Sequence, residues 1–169
     1  MKLTDYTDYS LRTLMYVALR DDQLVTIQEI SDAFDIPRNH LVKIVHALGK
    51  AGYLATVRGR RGGMRLGRAA SKIVVGDVVR SMEPDFHMVE CFDTGHNQCV
   101  ITAACGLRGA LTAALKAYLD VLDHWTIADL IEKRQTLSRL LQASAPVQFM
   151  PMPANDAPRK PAAQNRRER

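Results

Sequence analysis

Three cysteines, Cys91, Cys99 and Cys105, are the residues best suited to chemistry, and they fall within fifteen residues with the spacing C-x7-C-x5-C. Buried structural cysteines behave as small apolar residues, but the first two here flank a polar segment at 93–98. Three is also an odd number, so internal disulfides cannot use them all. Because thiolates are strong ligands for soft metals, the cysteines predict a metal centre.

The spacing leaves two kinds of metal centre open. A zinc ion would need a fourth ligand, for which His87 or His96 is available, but zinc sites usually contain cysteine pairs separated by about two to four residues. An iron–sulfur cluster is held by thiolates together with a fourth donor, and the longer spacings suit a loop wrapped around a larger group. The residues favour a cluster over zinc and leave the fourth ligand open.

A second group with chemical potential is a block of five arginines in eleven residues, at 58–68, with no acidic residue among them. The chain has a net charge of +5, and residues 1–80 carry +5 while residues 81–142 carry −3. Such a block attracts polyanions, and the glycines within it allow a close approach to a partner. The expected partner is double-stranded DNA.

The elements that must position these residues begin with three helices in the first fifty residues. Apolar residues at steps of three and four predict a helix over 6–20. Thr26 and Glu29 form a capping-box pattern that starts a second helix, and we expect Asp35 to cap a third helix that has Pro37 in an early position. A short helix, a tight turn and a helix with a polar outer face are typical of a helix-turn-helix.

A two-stranded hairpin is predicted directly after the third helix. Residues 53–57 and 64–66 have strand-like patterns on either side of a glycine-rich tip at 58–63. The predicted fold is therefore mostly α with a small β wing: a winged helix-turn-helix domain plus a long dimerisation helix. The third helix would enter the major groove and the arginines of the tip the minor groove. We expect DNA contacts from eight residues: Gln28, Arg38, Asn39, His40, Lys43, Arg58, Arg60 and Arg61.

The second half of the chain predicts a connecting segment followed by a long helix. Residues 73–79 predict a short helix behind the wing, and apolar residues recur at steps of three or four from Gly106 onwards. This long helix has two apolar lines, and we expect one line to pack against the rest of the same chain and the other against a second copy. We therefore expect a homodimer that binds a palindromic DNA site. The expected division is 1–80 for the DNA-binding domain, 81–105 for the cluster-binding loop, 106–142 for the dimerisation helix and a C-terminal helix, and 143–169 for a disordered, proline-rich basic tail.

Composition and motifs exclude several other classes of protein. No apolar run approaches the ~20 residues needed to span a bilayer, and the N-terminal residues lack an apolar signal core. We therefore expect a cytoplasmic chain with reduced thiols. The sequence contains no paired carboxylates in a credible pocket, no phosphate-binding loop and no Ser/His/Asp arrangement, so we expect that it is not an enzyme.

Several stretches of the sequence carry a resemblance: LTDYTDY at 3–9, RNHLVKI at 38–44, AGY at 51–53, VRGRRGGMRLG at 57–67 and TIADL at 126–130. Together with the three cysteines they resemble the IscR/NsrR-type family of bacterial winged-helix regulators, over about residues 1–142. The resemblance implies a dimer with an iron–sulfur cluster on the three cysteines of each subunit, with [4Fe–4S] favoured and [2Fe–2S] possible. The iron–sulfur biogenesis branch of the family has a histidine ligand three residues after the third cysteine. That position is Arg108 here, which cannot ligate, so the chain is more similar to the nitric-oxide-sensing branch.

The resemblance to that branch also implies a fourth ligand, a carboxylate from the first helix of the other subunit, and Asp8 is the matching residue. An oxygen donor binds cluster iron less tightly than a thiolate, which suits a sensor of a small gas, and Arg12 at i+4 can hold the carboxylate in place. The leading hypothesis is a transcriptional repressor that releases operator DNA when nitric oxide nitrosylates the cluster. The alternative is a regulator of the same fold that senses redox state or iron–sulfur supply through a [2Fe–2S] cluster.

Overall fold

The computed structural model describes residues 2–142, which form seven α-helices and a two-stranded antiparallel sheet. This architecture confirms the predicted fold class, whereas the tail predicted at 143–169 lies outside the described residues. None of the helices described is long and apolar enough to cross a membrane. In chain order the elements are α1 (Asp5–Leu19), α2 (Ile27–Phe34), α3 (Arg38–Lys50), β1 (Leu54–Val57), β2 (Gly63–Leu66), α4 (Val75–Met82), α5 (Gly106–Asp123), α6 (Ile127–Leu130) and α7 (Arg134–Gln142).

Helices α2 and α3 form the predicted helix-turn-helix. The backbone N–H of Thr26 donates to the Glu29 carboxylate at 2.6 Å and the N–H of Glu29 donates to the Thr26 hydroxyl at 3.2 Å, which confirms the capping box. The predicted role of Asp35 is wrong, because this residue ends α2 in the left-handed conformation with a φ of 53°. Pro37 instead stands at the N-cap of α3, with no side-chain cap hydrogen bond. Aspartate tolerates the left-handed conformation better than most residues, and the turn that it makes is followed by Ile36, which is buried in the core.

The core lies between α1, α3, α4 and the wing. Helix α1 packs against both α3 and α4, and it also contacts β2. Burying one large aliphatic side chain stabilises the fold by about 1.5–3 kcal/mol, so this packing fixes α3 firmly on the body of the protein. The fully buried aliphatic side chains at its centre are Leu14, Leu41, Ile44, Leu48, Ile73 and Val78.

The wing is a tight hairpin whose tip depends on glycine. The antiparallel pairing of β1 and β2 ends with Val57 opposite Gly63. Gly59 has a φ of 119°, which only glycine adopts readily. A Cβ on Gly62 would collide with the carbonyl oxygen of Val57. At Gly62 the backbone of the tip therefore approaches the Val57 carbonyl more closely than a residue with a side chain would allow.

Helix α5 presents two apolar lines, as the sequence pattern predicted. The line that faces α4 is half-buried, and the line beside it is exposed. None of the residues of α5 is fully buried, so much of its apolar surface stays uncovered in a single chain. The half-buried line is Leu111, Leu115, Tyr118 and Leu122, and the exposed line is Ala110, Ala114, Ala117 and Val121.

Candidate metal centre and nucleic-acid interface

The three cysteines line one cavity of about 160 Å³. Cys91 is buried, Cys99 and Cys105 are half-buried, and all three are free thiols. The other residues that line the cavity are mostly apolar: Val89, Glu90, Ile101, Leu107 and Arg108. The structure thus brings together the three residues that the spacing singled out, even though seven and five residues separate them in the chain.

Local structure holds each cysteine at this cavity. Cys91 lies in a short 3-10 turn, and Cys105 is the N-cap of α5. Between them, the backbone N–H of Cys99 donates to the Asn97 side-chain oxygen at 3.1 Å, and the Thr102 hydroxyl donates to the Cys99 carbonyl at 2.7 Å. These two hydrogen bonds fix the long loop on both sides of Cys99.

The donor set of this cavity is compatible with an iron–sulfur cluster. Among residues 2–142, no group of three or more His, Cys, Asp and Glu side chains is close enough together to hold one metal ion. All three cysteines nevertheless line one cavity. Because an iron–sulfur cluster is larger than one ion and is held by thiolates, the donor set and its spacing fit such a group.

The two histidines considered as zinc ligands lie elsewhere. The Nδ1 atom of His96 is 2.7 Å from the Asp93 carboxylate, and the His96 side chain is exposed. The hydrogen bond from His96, together with one from the N–H of Gly95, lowers the pKa of Asp93. His87 lines a different cavity, next to the start of α1. Neither histidine lines the cavity of the cysteines.

Asp8 lies on α1 and is held by Arg12. The Nη2 atom of Arg12 is 2.7 Å from Oδ2 of Asp8, and its Nε–H donates to Oδ1 at 3.1 Å, as the i+4 spacing predicted. Asp8 does not line the cysteine cavity of its own chain, whereas Arg108 does.

All eight residues predicted to contact DNA are exposed. On α3 they lie outside the buried stripe that begins with Leu41 and Ile44. Two of them also make contacts within the chain, since His40 stacks on the Tyr9 ring at a centroid distance of 6.4 Å and the Gln28 amide donates to the Asp32 carboxylate at 2.6 Å. The exposed side chains of these residues are together called the recognition surface below; they are Gln28, Arg38, Asn39, His40, Lys43, Arg58, Arg60 and Arg61.

One arginine of the basic block has a structural role instead. The guanidinium of Arg68 lies over the Tyr53 ring, 4.6 Å from its centroid, and donates to the Ala51 carbonyl at 2.9 Å. Such a contact combines cation–π attraction with satisfaction of a carbonyl at the end of α3. It ties the base of the wing to the C-terminal end of α3.

Sequence reasoning did not single out Val42, an exposed residue of α3. Val42 is 54% exposed, although valine is an apolar residue and four buried apolar side chains lie within the same helix. The signal was present in the spacing, because Val42 does not belong to the series Leu41, Ile44, Val45 and Leu48 that forms the buried stripe.

Comparison with known proteins gives a consistent result. A family model described as Rrf2, iron-dependent transcriptional regulator, matches residues 3–133. A relative from Bacillus licheniformis, named HTH-type transcriptional regulator NsrR, is 49% identical over 142 residues, which cover 83% of this chain and 99% of the relative. A relative of the same name from Bacillus subtilis is 48% identical over 143 residues, with 84% and 98% covered. These names confirm the expectation that the chain is not an enzyme.

Solved structures show the same fold. A putative transcriptional regulator from Listeria innocua has a TM-score of 0.66 at 26% identity, over 78% of this chain and 87% of that one. T. potens IscR has a TM-score of 0.65 at 22% identity, over 81% of this chain and 90% of that one. The arrangement of helices and wing described above is therefore shared with these proteins.

Proposed function

This chain belongs to the Rrf2 family of transcriptional regulators, and we propose that it is a repressor that holds an iron–sulfur cluster and releases operator DNA in response to nitric oxide. The observation that carries the proposal is the single cavity lined by Cys91, Cys99 and Cys105. Two further observations support the proposal. The chain exposes the basic residues of the recognition surface, and relatives of the chain are named NsrR.

The proposed ligands of the cluster are the three cysteines of one chain and Asp8 of a second copy. Arg12 orients the Asp8 carboxylate with two hydrogen-bonding contacts. The exposed apolar line of α5 offers the surface on which the second copy would pack, since uncovered apolar area favours association. When bound, the cluster, with [4Fe–4S] favoured, supplies an iron site that reacts with nitric oxide.

We assign DNA binding to residues 1–80, cluster binding to 81–105 and dimerisation to 106–142. A direct contact links the first two, because Glu83 at the start of the loop accepts hydrogen bonds from the backbone N–H of Thr4 at 2.8 Å and from its hydroxyl at 3.2 Å. Thr4 is the N-cap of α1, which carries Asp8 and packs on α3. A movement of the loop therefore has a route to the recognition helix, and a tenfold loss of DNA affinity needs only ~1.4 kcal/mol.

The test is a titration of the DNA complex with nitric oxide. The probe is a fluorescent duplex that the anaerobically reconstituted protein selects from a random-sequence pool, and anisotropy reports its binding. We expect the affinity to fall at least about tenfold as nitric oxide is added. The matched control is the C91S/C99S/C105S variant, whose residual DNA binding should not respond. Unchanged affinity of the reconstituted wild-type protein would refute the switch.

Spectroscopy of the same samples separates the proposal from the alternative with a [2Fe–2S] cluster. Visible and Mössbauer spectra of the protein isolated without oxygen, with the ratio of iron to sulfide, identify the cluster type. A [2Fe–2S] signature together with a DNA affinity that follows the redox state, and not nitric oxide, would favour the alternative.

A further inference from the structure

We propose that Val42 reads the 5-methyl group of a thymine in the major groove and thereby sets part of the sequence preference of this protein. The inference rests on the proposed function, since it concerns how the recognition helix meets DNA. It assigns a contact to a residue that lies outside the set of charged and polar side chains from which DNA binding was inferred.

The position of Val42 on α3 is the first argument. The buried stripe of α3 is complete without it, because Leu41, Ile44, Val45 and Leu48 supply all the buried side chains of this helix. Val42 is 54% exposed and lies outside this stripe. Its exposed neighbours one turn away include Asn39 at i−3 and His46 at i+4, which share its face of the helix.

The choice of valine at this position is the second argument. A β-branched residue is a weaker helix former than leucine or lysine, and an exposed side chain gains little from the core. Neither the stability of α3 nor the packing of the chain therefore explains Val42. A partner surface that covers it would recover the hydrophobic contribution that the free chain lacks.

The chemistry of the major groove supplies the third argument. The edges of the bases there present hydrogen-bond donors and acceptors and one apolar group, the 5-methyl of thymine. In the row Asn39–Val42–His46, the outer two side chains can form hydrogen bonds and the middle one cannot. A recognition helix seated in the groove would place this middle side chain against a methyl group, flanked by polar contacts.

The experiment removes the methyl group from the DNA. The anaerobically purified holoprotein selects a duplex from a random-sequence pool, and each thymine of one half-site is then replaced in turn by deoxyuridine, which keeps the base pairing. We expect one replacement to weaken wild-type binding about fourfold, because the free energy of burying one methyl-sized group corresponds to that change in affinity. The V42A variant should bind the original duplex about fourfold more weakly in each half-site and show no further loss at that position. Alanine favours helix more than valine does, so this variant retains α3.

The control and the contrary outcomes are distinct. V57A removes a valine of the wing that is 44% exposed and should keep the discrimination between thymine and deoxyuridine. Equal affinity of the wild-type protein for every duplex of the series would overturn the role of Val42, as would discrimination that persists in V42A. If V42A changes the oligomeric state and not the discrimination, Val42 packs on a second copy and the inference is wrong. A protein that selects no duplex at all would refute the proposed function itself.

Discussion

The guanidinium of Arg80 holds the carboxylate of Asp123 at two points, with 2.6 Å between Nη1 and Oδ1 and 2.7 Å between Nη2 and Oδ2. This pair joins α4 to the C-terminal end of α5. The helices are close there, since a Cβ on Gly76 would collide with the Asp123 carboxylate. The pair is thus a polar link between α4 and the long helix α5.

The link predicts a pH-dependent stability for the D123N variant. The hydrogen bond from Arg80 lowers the pKa of Asp123 below its usual value. Its contribution to stability is therefore present above the unfolded pKa, about 4, and is lost as the pH falls through the lower folded pKa. We expect wild-type protein to have a higher Tm than D123N near neutral pH and the difference to vanish in acid, as measured by circular dichroism.

The matched control for this link is D120N. Asp120 also pairs with a cation, Lys116, at 2.6 Å, but within one exposed helix. Pairs of that kind contribute little, so D120N should leave the Tm almost unchanged. A Tm difference between wild type and D123N that stayed constant down to strongly acidic pH would contradict a charged link.

Local signals in the sequence were sufficient for the start of α2 but not for the start of α3. Thr26 and Glu29 predicted the start of α2 because both partners of a capping box lie within one turn. The role of Asp35 was predicted wrongly because an aspartate can either cap the following helix or end the preceding one in the left-handed region. The burial of Ile36, which depends on residues far away in the chain, selects the second arrangement.

In the candidate site, too, local sequence patterns predicted some features and long-range contacts determined others. Spacing and residue type predicted that Cys91, Cys99 and Cys105 act together, and the structure places them on one cavity. The path of the loop that brings them there depends on contacts such as that between Thr4 and Glu83, which are 79 residues apart. A local sequence pattern does not predict such a long-range contact. Asp8 was predicted as a cluster ligand from the resemblance alone. An acid in the first turn of a helix already has an ordinary role, which is to interact favourably with the helix dipole.

The capping box predicts a measurable loss of stability in T26A. Replacing an N-cap threonine by alanine costs about 1 kcal/mol of the free energy of unfolding, because the N–H of Glu29, which donates to the Thr26 hydroxyl at 3.2 Å, loses its partner. Urea unfolding measures this loss. T136A, an exposed position within α7, is the control and should not destabilise the protein. A free energy of unfolding of T26A equal to that of wild type would show that the box contributes nothing.

The pairing of Asp8 with Arg12 predicts graded loss of iron. If Asp8 of a second copy completes the cluster site, D8A removes the ligand and R12A removes only the group that orients it. Loss of an orienting partner typically lowers metal affinity by about tenfold or more. We expect chelators to remove iron fastest from D8A, more slowly from R12A and slowest from wild type, as followed by visible absorbance without oxygen.

The control for the iron experiment is K2A. Lys2 also pairs with an acid of the same helix, Asp5, at 3.2 Å, so the variant removes a similar ion pair away from the proposed ligand. Its iron should be as resistant to chelators as that of wild type. Equal rates of iron loss from D8A and wild type would remove Asp8 from the proposed ligand set.

The wing predicts a change in the salt dependence of DNA binding. Arg60 and Arg61 are exposed at the hairpin tip, and each cation that neutralises a phosphate releases counterions, so log Kd changes with log salt concentration. We expect R60A/R61A to reduce that slope by roughly one for each arginine that contacts a phosphate. R139A, an exposed arginine of α7, should leave the slope unchanged. Anisotropy titrations over a series of salt concentrations measure it, and a slope that is the same for R60A/R61A and wild type would place the wing away from the DNA.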